Sequence, residues 1–260
     1  MTSNEFDGQG PPLATRQIMS QWWRDICFVH WRVDPSLVAP RLPSGTRPDI
    51  CDGSAWVGLI PFRMVDAGIG RHGPVPRLGT FLEMNVRTYS VDRQGRHGVV
   101  FLSLEAERLA VVAAARALLG VPYQWATMSF AGSGSEPVAV SGAMTAERRQ
   151  ISYRSVRRTL RGATGPRSRL DVSVRAPIAA PSSRDLFLTA RFGLHTSCWG
   201  RTLWIPNTHR PWALHDADIV KLEDNLVQAA GFGDLASRPP DSVLFAAGVR
   251  TVFGRPTSTR

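Results

Sequence analysis

Between Thr80 and Ser90, one row of side chains could bind an anion or move a proton. The stretch reads Thr-Phe-Leu-Glu-Met-Asn-Val-Arg-Thr-Tyr-Ser. Successive residues of a strand face opposite sides, so Leu82, Met84, Val86 and Thr88 share one face, and Phe81, Glu83, Asn85, Arg87 and Tyr89 share the other. A carboxylate, an amide, a guanidinium and a phenol on one face fit the wall of a polar-floored pocket, where each group can aim at one ligand. A solvated strand face has the same composition, and the pattern leaves both open. Other polar groups fall at the ends of strand-like runs: Arg24, His30, Arg32 and Tyr123. A carboxylate and arginines gathered inside an apolar sheet would have shifted pKa values and would suit an anionic ligand. A structural ion-pair network would use the same residues.

Several other chemistries lack their residues. His30, His72, His97, His195, His209 and His215 have neither His-x-His nor His-x-x-x-His spacing, so no metal and no other cofactor is expected. There is no Gly-x-Ser-x-Gly, and Gly132-Ser133-Gly134-Ser135 reads as a flexible loop. No Gly-x-x-x-x-Gly-Lys-Ser/Thr phosphate loop is present. Cys27, Cys51 and Cys198 are dispersed and odd in number, which argues against a disulfide framework. The net charge of +10 is almost all arginine, with Lys221 the single lysine. Such a charge favours anionic ligands and attracts nucleic acid weakly at low salt. Nine arginines lie between Arg148 and Arg175. Strand-like residues and the glycines at 162 and 165 interrupt them, which favours a solvated loop and hairpin edge over a nucleic-acid surface.

The elements that must position these groups predict an α+β fold. Residues 1–19 read as a flexible tail and 20–260 as a single domain. Ser20 to Arg24 fits a short helical turn and Asp25 to Val33 a strand. Asp34-Pro35 begins a helical turn, and Asp52-Gly53 is a turn before an apolar strand from Ala55 to Phe62. Gly68 to Gly79 reads as a loop or lid. Asp92 to Arg96 makes a hairpin to a return strand, Val99 to Ser103. The spacing predicts a helix from Glu105 to Leu119, with Gly120 as its C-cap and Pro122 preventing continuation. Further strands are expected at Trp125–Phe130, Gln150–Val156, Leu170–Val174, Leu186–His195, Thr202–Ile205 and Ser242–Phe253. Ile219, Leu222 and Leu226 predict a second helix from Ala213 to Ala230. No basic region followed by an apolar run opens the chain, and no apolar stretch approaches the roughly 20 residues that span a bilayer. The expectation is a soluble, cytoplasmic protein without a membrane partner.

The chain resembles the uncharacterised YqjF-like family. The resemblance rests on His30-Trp31-Arg32-Val33-Asp34-Pro35, Leu42-Pro43, Asp52-Gly53-x-Ala55-Trp56-Val57-Gly58-Leu59-Ile60-Pro61-Phe62 and Phe81-x-Glu83-x-Asn85-x-Arg87-Thr88-Tyr89. It continues through Ser103-Leu104-Glu105, Ala115-Arg116-x-x-x-Gly120-x-Pro122-Tyr123, Leu188-Thr189-Ala190-Arg191-Phe192 and His209-Arg210-Pro211-Trp212. What the resemblance implies is an acetoacetate decarboxylase-like fold, a strongly curved and mostly antiparallel sheet closing into a cone-like barrel around a small-molecule cavity, with two main helices outside. It also makes a homo-oligomer plausible.

Acetoacetate decarboxylases use a lysine that forms a Schiff base with a β-keto acid, because the iminium is the electron sink. By resemblance, the two lysine positions of that site fall on Tyr123 and Gln124, neither of which can form an imine. The family's arginine falls on Arg24 and one glutamate on Glu83, while a second glutamate position near Trp56 or Val57 holds no acid. The expectation is a protein that binds a small organic acid or oxo compound, or an enzyme acting on one by lyase- or hydratase-like acid–base chemistry. Glu83, Tyr123 and Arg24 would be catalytic, and Asn85, Arg87, His30 and Gln124 ligand-binding. A non-catalytic sensor module is the alternative, with nucleic-acid binding through Arg148–Arg175 behind it.

Overall fold

The computed structural model describes residues 8–70, 73–133, 149–158 and 165–259. Its elements in order are β1 (Gln17–Val33), α1 (Pro35–Val38), β2 (Thr46–Pro48), β3 (Ala55–Ile69), β4 (Phe81–Asp92), β5 (His97–Ala106) and α2 (Leu109–Leu119). There follow β6 (Tyr123–Ser133), β7 (Gln150–Arg157), β8 (Arg167–Pro177), α3 (Ser183–Thr189), β9 (Gly193–Cys198), β10 (Arg201–His209), β11 (Leu214–Asp224), β12 (Ser242–Gly254) and β13 (Thr257–Ser258).

These strands form one curved sheet that closes on itself twice. Nine strands run β5-β6-β7-β8-β11-β12-β1-β3-β4 and return to β5. A second ring of seven passes through β5, β9, β10, β12, β1, β3 and β4. Pairing is antiparallel except where β5 meets β6 and β9. The nine-strand ring is filled by a hydrophobic core that includes Val29, Trp31, Leu59, Met84, Val86, Met128, Tyr153, Leu170 and Phe245. The seven-strand ring instead surrounds a cavity. β12, β1, β3, β4 and β5 belong to both rings and form the wall between the two interiors, so both faces of β1, β3 and β4 are buried over much of their length. That explains the apolar run of β3, and it decides between the two readings of β4. Met84 and Val86 enter the core, while Glu83 and Asn85, each 2 % exposed, and Arg87, 8 % exposed, face the cavity and not solvent.

The turn and cap chemistry is as the residues imply. Asp34 caps α1 by accepting from Ser36 N at 2.8 Å. Gly120 ends α2 with φ 63°, and a Cβ there would lie 2.2 Å from the Ser197 carbonyl oxygen, so only glycine fits.

Four expectations are corrected. Ser20–Arg24 is no helical turn but part of the long strand β1. The helix begins at Leu109, not Glu105. Strand β5 continues to Ala106 because Glu105 is buried and ion-paired to Arg157 of β7. Glu107, meanwhile, accepts from Leu82 N at 2.9 Å. Within Leu186–His195 the first residues are helical. Ser182 and Asp185 form a reciprocal capping box that starts α3. The second outer helix is absent among the described residues. Ala213–Ala230 holds strand β11, which pairs with β8 and β12, and then the start of a short helical segment of π character that runs to Phe232, opened by Asp224 accepting from Val227 N at 2.9 Å. Cross-strand pairing overrides the helical spacing there. Gly134 and Ser135 lie outside the described residues.

Candidate functional site

The cavity in the seven-strand ring holds about 510 Å³. Most of its wall is apolar, built from Trp23, Phe28, Ile60, Phe62, Leu104 and Val121 among others, with α2 contributing Val111, Ala115 and Leu119. Ile69 and Leu78, both exposed, mark its mouth. Val75 and Leu78 of the expected loop over Gly68–Gly79 also line it.

Glu83 and Tyr123 form the first polar pole. The Tyr123 hydroxyl donates to Glu83 Oε2 at 2.7 Å, and Asn85 Nδ2 lies 3.5 Å from Oε1. Tyr123 stands opposite Leu104 on the parallel β5–β6 ladder, and β4 flanks β5 on its other side, so three strands converge on this pair. Burial pushes the Glu83 carboxyl up to about 7, against the hydrogen bonds from Tyr123 and Asn85. The group can therefore hold or release a proton at neutral pH. Burial and the Glu83 charge hold the Tyr123 phenol well above its ordinary range. Asn85 Oδ1 is buried with no hydrogen-bond partner among the described residues, an acceptor left over for a donor on a ligand or for a protonated Glu83 after an amide rotation.

Arg87 and Arg191 form the second pole. Arg87 Nε donates to Tyr89 Oη at 3.1 Å and Nη2 to the Leu188 carbonyl at 2.9 Å. Tyr89 Oη itself donates to Leu188 O at 2.9 Å, so His30 Nε2, 2.6 Å away, must carry a proton and donate to it. Burial, then Arg87 and Arg191, lower the His30 pKa well below its usual value. His30 is thus a neutral support beneath Tyr89. Gly58 makes room for it, since a Cβ there would be 2.7 Å from the ring. Arg191 donates to Asp49 Oδ2 at 2.5 Å and is neutralised by it. Arg87 has no such carboxylate within ion-pair distance among the described residues. A buried guanidinium held only by neutral acceptors calls for an anion. His209 lies nearby on the wall, its Nδ1 donating to the Arg210 carbonyl at 2.7 Å, which leaves Nε2 as an acceptor. Burial lowers its pKa.

Of the residues singled out from sequence, Glu83, Asn85, Arg87 and Tyr123 come together around the cavity. Arg24, His30 and Gln124 are not on its wall. Alternation along β1 turns Trp23 inward and Arg24 outward, where its guanidinium lies 4.4 Å from the Trp22 ring. Gln124 stands opposite Glu105, one residue out of phase with Tyr123. Arg191, His209, Asn207 and Trp212 line the cavity, though none was given a site role from sequence. Arg191 is a cation inside an otherwise apolar run, which was the available signal. The lone lysine, Lys221, is on β11 and pairs with Glu223 at 3.0 Å, away from the cavity.

Four of the seven described arginines of the arginine-rich region are ion-paired within the protein. Arg149 bonds Asp25, Arg157 bonds Glu105, Arg169 bonds Asp171 at 2.7 Å and Arg175 bonds Asp218 at 3.2 Å. Arg148 and Arg161 lie outside the described residues. Among the described residues no cluster of three or more His, Cys, Asp or Glu has metal-ligating geometry, and no helix is long and apolar enough to cross a membrane.

The doubly closed sheet has an acetoacetate decarboxylase-like fold. An acetoacetate decarboxylase-like enzyme from Sphingomonas wittichii RW1 matches with a TM-score of 0.60 at 14% identity, over 98% of this chain and 99% of that one. The enduracididine biosynthesis enzyme MppR, complexed with pyruvate, matches with a TM-score of 0.58 at 16% identity, over 95% of this chain and 92% of its own. By sequence the chain belongs to the DUF2071 family of uncharacterized conserved proteins, matching it over residues 20–250. The uncharacterized protein YqjF of Bacillus subtilis (strain 168) is 31% identical over 215 residues, 82% of each chain.

Proposed function

We propose that this protein binds a small organic acid carrying an oxo or hydroxyl group inside the cone-like barrel formed by the two rings, and acts on it without a Schiff base. The observation that carries the reading is Arg87, a buried guanidinium on the cavity wall with no carboxylate partner among the described residues. The ligand's carboxylate completes its coordination. Glu83 is the general acid/base, since its pKa near 7 matches it to proton transfer at neutral pH. Tyr123, which by resemblance falls on a lysine position of the decarboxylases, supplies a hydrogen bond to the ligand's oxygen and holds Glu83 in place. An amine on the wall would be needed for an iminium, and the single lysine is elsewhere. Lyase- or hydratase-like proton transfer fits these groups. That relatives of this fold include an enzyme crystallised with pyruvate supports an organic acid as ligand.

The test is a thermal-shift screen of keto, hydroxy and unsaturated acids on wild type, Arg87→Met and Arg24→Ala. Stabilisation by an acid that survives Arg24→Ala and disappears in Arg87→Met is expected. Stabilisation unchanged in a folded Arg87→Met variant overturns the assignment. Proton NMR of the bound acid over time then separates turnover from binding alone.

A further inference from the structure

The two polar poles of the cavity are far apart. Glu83 and Arg87 lie four residues apart on the same face of β4, which at about 3.3 Å per residue separates their Cα atoms by about 13 Å. The Arg87 guanidinium is drawn further from Glu83, toward Tyr89. Glu83 is tied to Tyr123 of β6, and Arg87 to Tyr89 and Leu188. Midway lies Asn85, whose cross-strand partners Ile60 and Leu104 both face the cavity. Between the Glu83 pole and Arg87 the wall is therefore hydrocarbon from Ile60 and Leu104, beyond the Asn85 amide and the Tyr123 phenol. A cavity of about 510 Å³ is also far larger than a three-carbon acid needs, and the surplus wall is hydrocarbon.

Resting on the reading above, we propose that the ligand is an amphiphilic monocarboxylate whose carboxylate and whose carbonyl or hydroxyl group are separated by a hydrocarbon stretch. A compact oxo acid such as pyruvate has the two groups on adjacent carbons and can engage only one pole at a time. In the assigned pose the carboxylate meets Arg87 and the chain passes Ile60 and Leu104. The distal oxygen then reaches Glu83 and Tyr123.

The experiment is titration calorimetry of the full-length protein, at fixed ionic strength, with straight-chain keto acids of increasing length. The series starts at pyruvate and levulinate and keeps the ketone beside the terminal methyl. Each added methylene is expected to tighten binding roughly threefold to fourfold until the chain spans the poles, after which affinity falls. The primary amide of the best acid is expected to bind at least about tenfold more weakly, because it brings no charge to Arg87. That comparison needs no variant. Pyruvate binding as tightly as the long acids, with an Arg87-dependent signal, overturns the separation while leaving an anion site in place. Amide and acid binding alike, or no acid of any length binding, overturns both this inference and the function proposed above.

Discussion

Glu83→Gln should stabilise the protein at alkaline pH and leave it nearly unchanged at acid pH. The Glu83 carboxyl rises from 4.5 to about 7 because it is buried, 2 % exposed, with only Tyr123 and Asn85 as hydrogen-bond donors. In the unfolded chain it ionises at its ordinary value. Between those two pH values the folded state binds the proton that the unfolded state has lost, so stability falls as pH rises. The favourable contribution is complete below about pH 4.5 and is lost as pH rises through about 7. At 1.36 kcal/mol per unit, the whole change is on the order of 3 kcal/mol. Glutamine keeps the shape and an acceptor for Tyr123, and after a rotation of the Asn85 amide its own amide can donate to Asn85 Oδ1. It does not titrate. Urea denaturation of both proteins from pH 4 to pH 9 should give a difference in unfolding free energy that grows in favour of the variant by about 2–3 kcal/mol, most of it between pH 5 and pH 7. A difference that stays flat across that range refutes the raised pKa, and with it the assignment of Glu83 as the acid/base group.

Three other outcomes are expected. Tyr89→Phe removes the oxygen that accepts from both His30 and Arg87, leaving two buried donors, and should cost about 2–4 kcal/mol in urea denaturation. Arg157→Met leaves Glu105 buried without its ion pair and should cost about 3 kcal/mol at neutral pH. Part of that loss should be recovered at acid pH, as Glu105 takes up a proton. Wild-type protein incubated with acetoacetate and borohydride should show no reduced adduct on any cavity peptide by mass spectrometry, because no lysine lines the cavity.

Local chemistry made much of the fold legible in the sequence. Asp34-Pro35, Asp52-Gly53, Asp92–Arg96 and Gly120 act through the residues beside them, and each is where the pattern put it. The row on β4 was legible as a row. Its direction was not, because only the closure of two rings decides whether a strand face meets solvent or a cavity. β11 carries helical spacing in Ile219, Leu222 and Leu226, and its strand form comes from pairing with β8, more than forty residues earlier in the chain. The same limit applies to the site. Resemblance carried the arginine role to Arg24, but one step of strand alternation turns Trp23 inward and Arg24 out onto Trp22. Arg87, with no ion-pair partner among the described residues, and Arg191, tied to Asp49 from a distant loop, could be told apart only once their surroundings were assembled.

The most direct test is a crystal structure of the full-length protein soaked with the tightest-binding keto acid. The ligand's carboxylate should lie within hydrogen-bond distance of the Arg87 guanidinium, with its distal oxygen beside Tyr123 and Glu83. A carboxylate bound at Arg24 or elsewhere on the surface, with the cavity holding only solvent, would contradict the assignment of the seven-strand ring as the functional site.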